Sequence, residues 1–343
     1  MQEAPGDYRE YSLSGTPEEI GRQAAAYHRG WDGPATPDLT TEQVTFARAC
    51  AAEVERAHPP ILRELTAWAG TCGLPLDSAL FYLSVGMTEK SKRGRSRRAP
   101  DPEARGCSTV GVMTADGPVV GRNFDLYYRV ATRHLISTGP EGFLSHAGMY
   151  DGLVAGRTDG MNSSGLFVSL HTVRAKPPAR RNPGMFCVHL VRAVLETCKT
   201  AREAAERLQE FPHISSFNYF LADREEMLVV EAHPERTCVR EAENGVLACA
   251  NHYVHPGMGD FLYAVPPNSA ARLDFLLDGV ACLASECEPS IAALMGDHSV
   301  PVCGHTETMA TLWSAIAVPA LLKVSYCLGA PCRNDYSHVV SLA

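Results

Sequence analysis

Residues 107–125, CSTVGVMTADGPVVGRNFD, decide the fold that this sequence predicts. Two runs of small and β-branched residues flank Asp116-Gly117, a dipeptide that is typical of a tight hairpin turn. Further strand-like runs follow at GLFVSLHT (165–172), FNYFLAD (217–223) and MLVVEA (227–232), with helical segments grouped between them. A second hairpin is expected in TCVREAENGVLACANH (237–252), with its turn at Asn244-Gly245. This pattern favours an α+β fold with antiparallel sheets whose outer faces are covered by helices.

The first ninety residues have a different pattern. Thr16-Pro17-Glu18-Glu19 is a capping box with proline at the first helical position, and Thr40 with Gln43 repeats the box before VTFARACAAEVERAH. Apolar residues recur there every three or four positions, as in an amphipathic helix. We therefore expect residues 1 to about 87 to be entirely helical.

A basic segment separates the helical region from the strands. Residues 90–98, KSKRGRSRR, contain six basic residues, and two prolines follow in APDPEARG. Such a stretch cannot bury apolar surface, so residues 89–106 should form a mobile exposed loop. A small docking site for anions is the alternative, but no aromatic residues are interleaved with the charges.

Composition and charge exclude several classes of protein. The 31 basic and 39 acidic residues give a net charge of −8, which disfavours a nucleic-acid-binding surface. No signal peptide is visible at the N-terminus, and no apolar run reaches the ~18–20 residues of a membrane span. Twelve cysteines among 343 residues are well below the ~8–10% of a disulfide scaffold. We expect a cytoplasmic protein without cofactors.

The spacing of the cysteines and histidines does not predict a metal site. Structural zinc sites usually contain cysteine pairs that are two residues apart. The pairs in this chain are spaced differently: Cys282 with Cys287, Cys327 with Cys332, and Cys303 with His305. Single histidines in apolar contexts, His146, His171 and His189, are expected to be core residues. We therefore expect no bound metal.

One cysteine differs from the others by its position. Cys107 directly follows Gly106, where the basic loop ends and the first strand begins. If the Gly106–Cys107 bond were cut, Cys107 would gain a free α-amine with a pKa of ~7.7–8.0, which could act as the base for its own thiol. The competing interpretation is a buried and inert cysteine, the usual state of a free thiol.

The return strand of the hairpin carries two charged residues, Arg122 and Asp125. A turn at Asp116-Gly117 would bring both towards Cys107. A guanidinium near the sulfur would favour the thiolate, and a carboxylate could hold the α-ammonium group. A surface ion pair is the other interpretation of the same two residues.

These residues resemble the catalytic hairpin of N-terminal-nucleophile hydrolases. The similarity is to the acyl-coenzyme A:6-aminopenicillanic-acid acyltransferase branch, to which bile-salt hydrolases and acid ceramidases are more distant relatives. Five further segments are similar to that branch in the same order, over about residues 107–335: DGMNSSGL (159–166), FNYFLADREEMLVVEA (217–232), ANHY (250–253), NSAARL (268–273), and His305 through Thr311 and Ser314 to GAPC (329–332).

The resemblance implies a four-layer αββα sandwich of two antiparallel sheets between helical layers. It also implies a precursor that cuts itself between Gly106 and Cys107, so that residues 1–106 become a small helical subunit and residues 107–343 the catalytic subunit. The cleaved N-terminal fragment would remain bound as a heterodimer partner. The roles implied for individual residues are these: Cys107 as nucleophile and base, Asp125 and Arg122 as orienting groups, Asn251 as a side-chain donor to the oxyanion, the Asn162 region as a backbone donor, and Tyr150, Arg272 and Ser314 as site residues.

Several of those residues have simpler interpretations. Asn251 could be a turn or cap residue, Arg272 a solvated arginine on a helix, and Ser314 a small core residue.

Three functions remain open at this stage. The first is a cysteine amidohydrolase or acyltransferase that acts on a small N-acylated amine or amino-acid derivative, or transfers an acyl group from a thioester to an amine. The second is a ligand-binding protein in which Cys107 is never freed. The third is an unprocessed Cys–His peptidase, for which His252 beside Asn251 is the candidate histidine. A serine hydrolase is disfavoured because no Gly-x-Ser-x-Gly motif is present.

Overall fold

The computed structural model describes residues 7–27, 38–85, 106–128, 132–152, 154–281, 287–306 and 309–342. The basic loop expected at residues 89–106 lies outside these ranges, apart from Gly106. Within the described ranges, no helix is both long enough and apolar enough to cross a membrane.

The elements follow one another along the chain as strands and helices of ordinary length. The N-terminal region contains β1 (Asp7–Gly15), α1 (Pro17–Tyr27), α2 (Thr41–Ala57), α3 (Pro59–Cys72) and α4 (Leu76–Val85). The later helices are α5 (Cys187–Thr197), α6 (Ala201–Glu210), α7 (Pro267–Ala281) and α8 (Cys287–Met295). The later strands are β2 (Cys107–Thr114), β3 (Gly117–Tyr127), β4 (Thr132–Pro140), β5 (His146–Tyr150), β6 (Asp159–Asn162), β7 (Phe167–Thr172), β8 (Phe217–Ala222), β9 (Met227–His233), β10 (Arg236–Glu241), β11 (Val246–Cys249), β12 (Met309–Val318), β13 (Lys323–Cys327) and β14 (His338–Ser341).

The expectation of an all-helical N-terminal region is wrong at its start. The capping boxes at Thr16 and at Thr40 are both formed, and they begin α1 and α2. Residues 7–15 instead form β1, which pairs in parallel with β4 along its whole length. A strand at the edge of a sheet is held by its partner's main chain, so the local pattern of one short segment is a weak guide to it.

Two sheets lie face to face between helical layers, which confirms the αββα sandwich. The larger sheet has the order β1-β4-β5-β6-β7-β8-β9-β10, and the smaller sheet has the order β11-β2-β3-β12-β13-β14. All described pairings except β1 with β4 are antiparallel. The helices α1 to α6 cover the outer face of the larger sheet, and α7 and α8 cover the smaller sheet.

The layer between the sheets is apolar and contains the start of β2. Its buried side chains come from both sheets, and they include Cys107, Phe124, Phe167, Phe220 and Trp313. The rings of Phe124 and Trp313 stack with centroids 3.9 Å apart. The first strand of the hairpin therefore begins inside the hydrophobic sandwich, not at its surface.

The second expected hairpin, at Asn244-Gly245, is wrong as a pairing although its turn is present. Asn244 and Gly245 both have positive φ angles, 52° and 76°, as a tight turn requires. The strands on either side belong to different sheets, because β10 pairs with β9 and β11 pairs with β2. The chain thus passes from one layer to the other at this turn, a step that an alternating pattern cannot reveal.

Candidate active site

Cys107 is the first residue of β2, and the expected hairpin with β3 is formed. Cys107 lies opposite Phe124, and Thr109 lies opposite Arg122. Because side chains alternate along a strand, Cys107 and Arg122 point to the same face, which is the inner face of the sandwich. The Cys107 side chain is buried, and burial raises the pKa of its thiol, although Arg122 acts in the opposite direction.

Arg122 spans the gap between the two sheets. Its Nε donates a hydrogen bond of 2.7 Å to Asp159 Oδ2 on β6, and both side chains are fully buried. Asp159 also accepts hydrogen bonds from Trp313 Nε1 at 2.9 Å and from the Tyr326 hydroxyl at 3.1 Å. Asp159 therefore fixes the guanidinium that lowers the pKa of the Cys107 thiol. The sequence offered no signal for this partner, because it lies on the opposite sheet.

Asp125 lies near the peptide that precedes Cys107. Burial raises the pKa of its carboxyl group to about 6, while Arg272 and the Thr311 hydroxyl act to lower it. Thr311 Oγ1 donates a hydrogen bond of 2.6 Å to Asp125 Oδ1. A β-carbon on Gly106 would lie 2.8 Å from Arg272 Nη2 and 3.1 Å from Asp125 Oδ2. Only glycine fits here without a shift of these charged groups.

Arg272 is buried at the centre of the site and is not a solvated arginine. Its Nη1 donates to the main-chain oxygen of Cys107 at 2.9 Å and to Ser108 Oγ at 2.6 Å. Its Nη2 donates to Asn251 Oδ1 at 2.8 Å, and only 1% of the residue is exposed. The helix α7 on the outer side of the smaller sheet thus supplies the cation that holds the main chain at Cys107.

Asn251 binds the main chain of the nucleophile directly. Its Oδ1 accepts a hydrogen bond of 2.9 Å from the Cys107 amide nitrogen, and its Nδ2 donates to the Thr172 carbonyl at 3.0 Å. The Asn251 amide nitrogen itself donates to Ser269 Oγ at 2.8 Å. Residues that are far apart in the chain therefore converge on the Gly106–Cys107 peptide.

Three of the residues that the resemblance implied are placed elsewhere. Asn162 Nδ2 donates to the carbonyls of Leu195 and Cys198 at the end of α5, and its Oδ1 accepts from two amides of its own turn. The Tyr150 side chain lies in the core beneath α5. Ser314 Oγ donates to the Arg122 carbonyl at 2.8 Å and lies 2.7 Å from the Tyr336 hydroxyl. Ser314 thus supports the strand that carries Arg122, whereas the side chains of Asn162 and Tyr150 make their contacts on the α5 side of the larger sheet.

The histidines near the site do not form a Cys–His pair with the thiol. His252 Nδ1 lies 2.8 Å from Ser269 Oγ, and burial lowers the pKa of His252 to about 4. His171, which we expected to be a core residue, lies in the layer of the nucleophile, with its Nε2 3.0 Å from Thr109 Oγ1. Burial and the nearby Arg122 lower the pKa of His171 well below its usual value, so its ring is neutral.

A cleft of about 180 Å³ leads from the surface to this group of residues. Gly106 and the buried side chains of Asp125, Arg272 and Met309 line it, together with the partly exposed His305. Cys107 lies directly behind Gly106 and does not line the cleft itself. The Gly106–Cys107 peptide thus lies between the cleft and the thiol.

The chain matches one known protein family and is similar to two solved structures. The model of the family described as acyl-coenzyme A:6-aminopenicillanic acid acyl-transferase matches residues 112–333. The chain is similar to a Caenorhabditis elegans N-acylethanolamine-hydrolyzing acid amidase ortholog, with 17% identity, a TM-score of 0.49, and coverage of 63% of this chain and 93% of that chain. It is also similar to a variant of conjugated bile acid hydrolase from Clostridium perfringens, with 13% identity, a TM-score of 0.48, and coverage of 65% and 89%. No curated protein matches the chain.

The family match covers most of the site but begins after the nucleophile. It includes Arg122, Asp125, Asn251 and Arg272, and it starts five residues beyond Cys107. The matched range is well over half of the chain, and it contains the hairpin return strand and both helices that cover the smaller sheet. Because this match covers well over half of the chain, the chain belongs to the acyl-coenzyme A:6-aminopenicillanic acid acyl-transferase family.

Proposed function

We propose that this protein is a self-processing cysteine amidohydrolase or acyltransferase that works through an acyl-enzyme on Cys107. The observation that carries the proposal is the hydrogen bonding around one peptide. Asn251 Oδ1 accepts from the Cys107 amide nitrogen, and Arg272 donates to the Cys107 carbonyl. The buried side chains of Asn251, Arg272 and Asp125 thus surround a glycine–cysteine bond beside a cleft, an arrangement that a merely structural cysteine does not need.

Self-processing would begin with attack of the Cys107 sulfur on the Gly106 carbonyl carbon. Asp125, whose Oδ2 lies beside Gly106, would take the thiol proton. The C–N bond then breaks, the Cys107 nitrogen becomes an amine by gaining that proton, and Gly106 is held as a thioester. Water hydrolyses the thioester, which gives a Gly106 carboxylate and a free Cys107 thiol.

The mature site would then carry its own base. The new α-amine of Cys107 has an ordinary pKa of ~7.7–8.0, so much of it can accept the thiol proton near neutral pH. Asp125 would hold this amine, and Arg122 would stabilise the thiolate. Asn251 Nδ2 donates one of its two hydrogens to the Thr172 carbonyl, and the other would donate to the oxyanion of a bound substrate.

The substrate would occupy the place that Gly106 leaves. A carbonyl carbon there would face the thiol, so an amide or a thioester would transfer its acyl group to the Cys107 sulfur and release an amine or a thiol. Water or an amine then takes the acyl group, so hydrolysis and transfer share one intermediate. The family description and the small cleft support a small N-acylated amine, an amino-acid derivative or an acyl thioester as the substrate class.

The two fragments would remain together after cleavage. The strand β1 belongs to the N-terminal fragment and pairs with β4 over nine residues of the larger sheet. Glu64 on α3 forms a buried ion pair of 3.0 Å with Arg192 on α5, and His58 lies 2.5 Å from Glu196 on the same helix. Separation would expose main-chain hydrogen bonds and unpaired buried charges, both of which are costly.

The decisive experiment follows the purified chain on a denaturing gel and sequences the N-termini of its bands. We expect wild-type protein to give residues 1–106 and a second band that begins at Cys107. Cys107→Ala should stay intact, whereas the matched variant Cys198→Ala, which changes a buried cysteine on the far side of the larger sheet, should be cleaved normally. An intact wild-type chain, or cleavage of Cys107→Ala at Gly106, would refute the mechanism.

A second experiment identifies the acyl group. Processed enzyme is mixed with a panel of N-acylated amines and acyl thioesters, quenched in acid and analysed by mass spectrometry. We expect a thioester adduct on the peptide that begins at Cys107. Stable labelling of a different cysteine during turnover would show that the nucleophile is wrong.

A further inference from the structure

Four side chains with metal-binding atoms meet beside the cleft. The ligand atoms of His298, Cys303, His305 and Cys332 all lie within 4.8 Å of one another. Three of these residues lie in the segment between α8 and β12, and Cys332 lies in the turn that follows β13. The spacing along the chain did not predict this group, because its members come from two separate segments.

The distances within the group are close to those of a tetrahedral metal centre. His305 Nε2 lies 3.4 Å from Cys303 Sγ and 3.2 Å from Cys332 Sγ. Zinc bond lengths of about 2.3 Å to sulfur and 2.0–2.1 Å to nitrogen place the two ligand atoms about 3.6 Å apart in a tetrahedron. The second imidazole is also near, since the ring centroids of His298 and His305 are 5.2 Å apart. The two nitrogen–sulfur distances thus lie within a few tenths of an ångström of the tetrahedral value, and all four ligand atoms lie within 4.8 Å of one another.

We propose that His298, Cys303, His305 and Cys332 bind one zinc ion in a structural Cys2His2 site. Two thiolates and two imidazoles are a common ligand set for structural zinc, and they compensate the double charge of the ion. Cys303 is buried, whereas His298 and Cys332 are exposed. The ion therefore has a route from solvent and a buried ligand to hold it. This site does not depend on the proposed function.

A disulfide between the two cysteines is the competing chemistry for this group. It would use only two of the four side chains and would leave both imidazoles without a role. It would also need an oxidant, whereas zinc binding needs only the release of the thiol protons. The hydrogen-bond distances from one imidazole nitrogen to both sulfurs favour an ion shared by all three atoms.

The zinc site would also position Asp125, and this part of the inference rests on the proposed function. Gly304 lies between two of the ligands, and its amide nitrogen donates a hydrogen bond of 3.0 Å to Thr311 Oγ1. Thr311 Oγ1 in turn donates to Asp125 Oδ1 at 2.6 Å, and the Thr311 amide returns a bond of 3.0 Å to the Gly304 carbonyl. A metal that fixes Gly304 would therefore orient the carboxylate beside the Gly106–Cys107 peptide.

Metal analysis of the full chain tests the site. Protein purified with reductant and added zinc, then freed of unbound metal, should retain one zinc ion per chain. Cobalt(II) in its place should give the visible bands of a tetrahedral thiolate complex. Cys332→Ser should weaken zinc binding by more than the ~10–100-fold cost of losing an outer-shell partner. The matched control Cys72→Ser, at the end of α3, should bind zinc normally.

Four results would overturn the site: no zinc retained by wild-type protein, no tetrahedral cobalt spectrum, full zinc binding by Cys332→Ser, or a Cys303–Cys332 disulfide in reduced, zinc-supplied protein.

The positioning role needs its own measurement, which is the pH dependence of self-cleavage with and without zinc. Removal of zinc should lower the rate of self-cleavage and shift the midpoint of its pH profile. If zinc binds but the pH profile of self-cleavage does not change, only the coupling between the zinc site and Asp125 is contradicted. If the proposed self-cleavage itself is wrong, the zinc-loaded protein will also fail to cleave.

Discussion

The structure contains two buried groups of charges that differ in how completely they are neutralised. Around Arg192, the carboxylates of Glu64 and Glu196 pair with one guanidinium at 3.0 Å and 2.6 Å, and His58 completes the group. Burial alone would raise the pKa of Glu196, but Arg192 and His58 lower it overall. Every carboxylate here has a partner, and no nucleophile is near.

The group around Cys107 is not balanced in this way. Arg122 and Arg272 lie on opposite faces of β2 near Cys107, and burial still raises the pKa of Asp125 to about 6. The thiol pKa is also raised by burial. The comparison shows that buried charge by itself marks stability, whereas incompletely compensated groups beside a thiol mark a site where protons can move.

The largest expected effect comes from a substitution in the group of charges around Arg192. Arg192→Met leaves the buried Glu64 without its ion-pair partner and Glu196 with His58 alone, so we expect the free energy of unfolding to fall by about 3–5 kcal/mol. The matched variant Arg48→Met removes the exposed pair with Asp77, whose loss should cost less than about 1 kcal/mol. Urea denaturation of both variants in the Cys107→Ala background measures the difference in an unprocessed chain. Equal losses for the two variants would show that the Arg192 group does not stabilise the fold.

The next largest effect distinguishes a residue of the candidate active site from a residue that only stabilises the fold. Asn251→Ala should lower kcat by about 10²–10³, because an oxyanion donor is lost. Asn162→Ala removes the bonds to the end of α5 and should lower stability, but it should leave the kcat of the folded enzyme unchanged. Steady-state kinetics and thermal unfolding of both variants test this. A loss of kcat in Asn162→Ala at unchanged stability would return that residue to the catalytic site.

The unbalanced group should respond to pH. Because burial raises the pKa of Asp125 to about 6, its carboxyl group is protonated below that pH and cannot take the thiol proton. We expect the rate of self-cleavage to fall about tenfold per pH unit below pH 6. Asp125→Asn should cleave slowly at every pH and should lack this dependence. A wild-type rate that stays constant down to pH 4.5, timed on gels, would exclude Asp125 as the base.

The smallest effect tests one hydrogen bond. Thr311→Val removes a bond that lowers the pKa of Asp125, so the midpoint of the cleavage profile should move to higher pH. A single hydrogen bond of this kind is worth about 1 kcal/mol, which corresponds to about a fivefold slower reaction below the midpoint. The control Thr197→Val, whose hydroxyl binds only within and at the end of α5, should not move the midpoint. An unchanged midpoint in Thr311→Val would contradict the assignment.

The parts of the site that were foreseen are those that local rules connect. Arg122 and Asp125 could be placed near Cys107 because a two-residue turn sets the register of a hairpin. The partners Asp159, Thr311 and Arg272 come from the other sheet, a distant strand and an outer helix. No spacing rule connects such residues, and only the family resemblance points to Arg272.

The same division holds for the fold. The amino-acid sequence by itself determined the α+β class, the capping of the first helices and the hairpin that begins at Cys107, because periodicity, caps and turns act over a few residues. Only the tertiary structure decided that residues 7–15 join the larger sheet, that β10 and β11 separate into different layers, and that His298, Cys303, His305 and Cys332 meet. These outcomes depend on the packing of two sheets and their helices, where contacts form between residues that no local pattern relates.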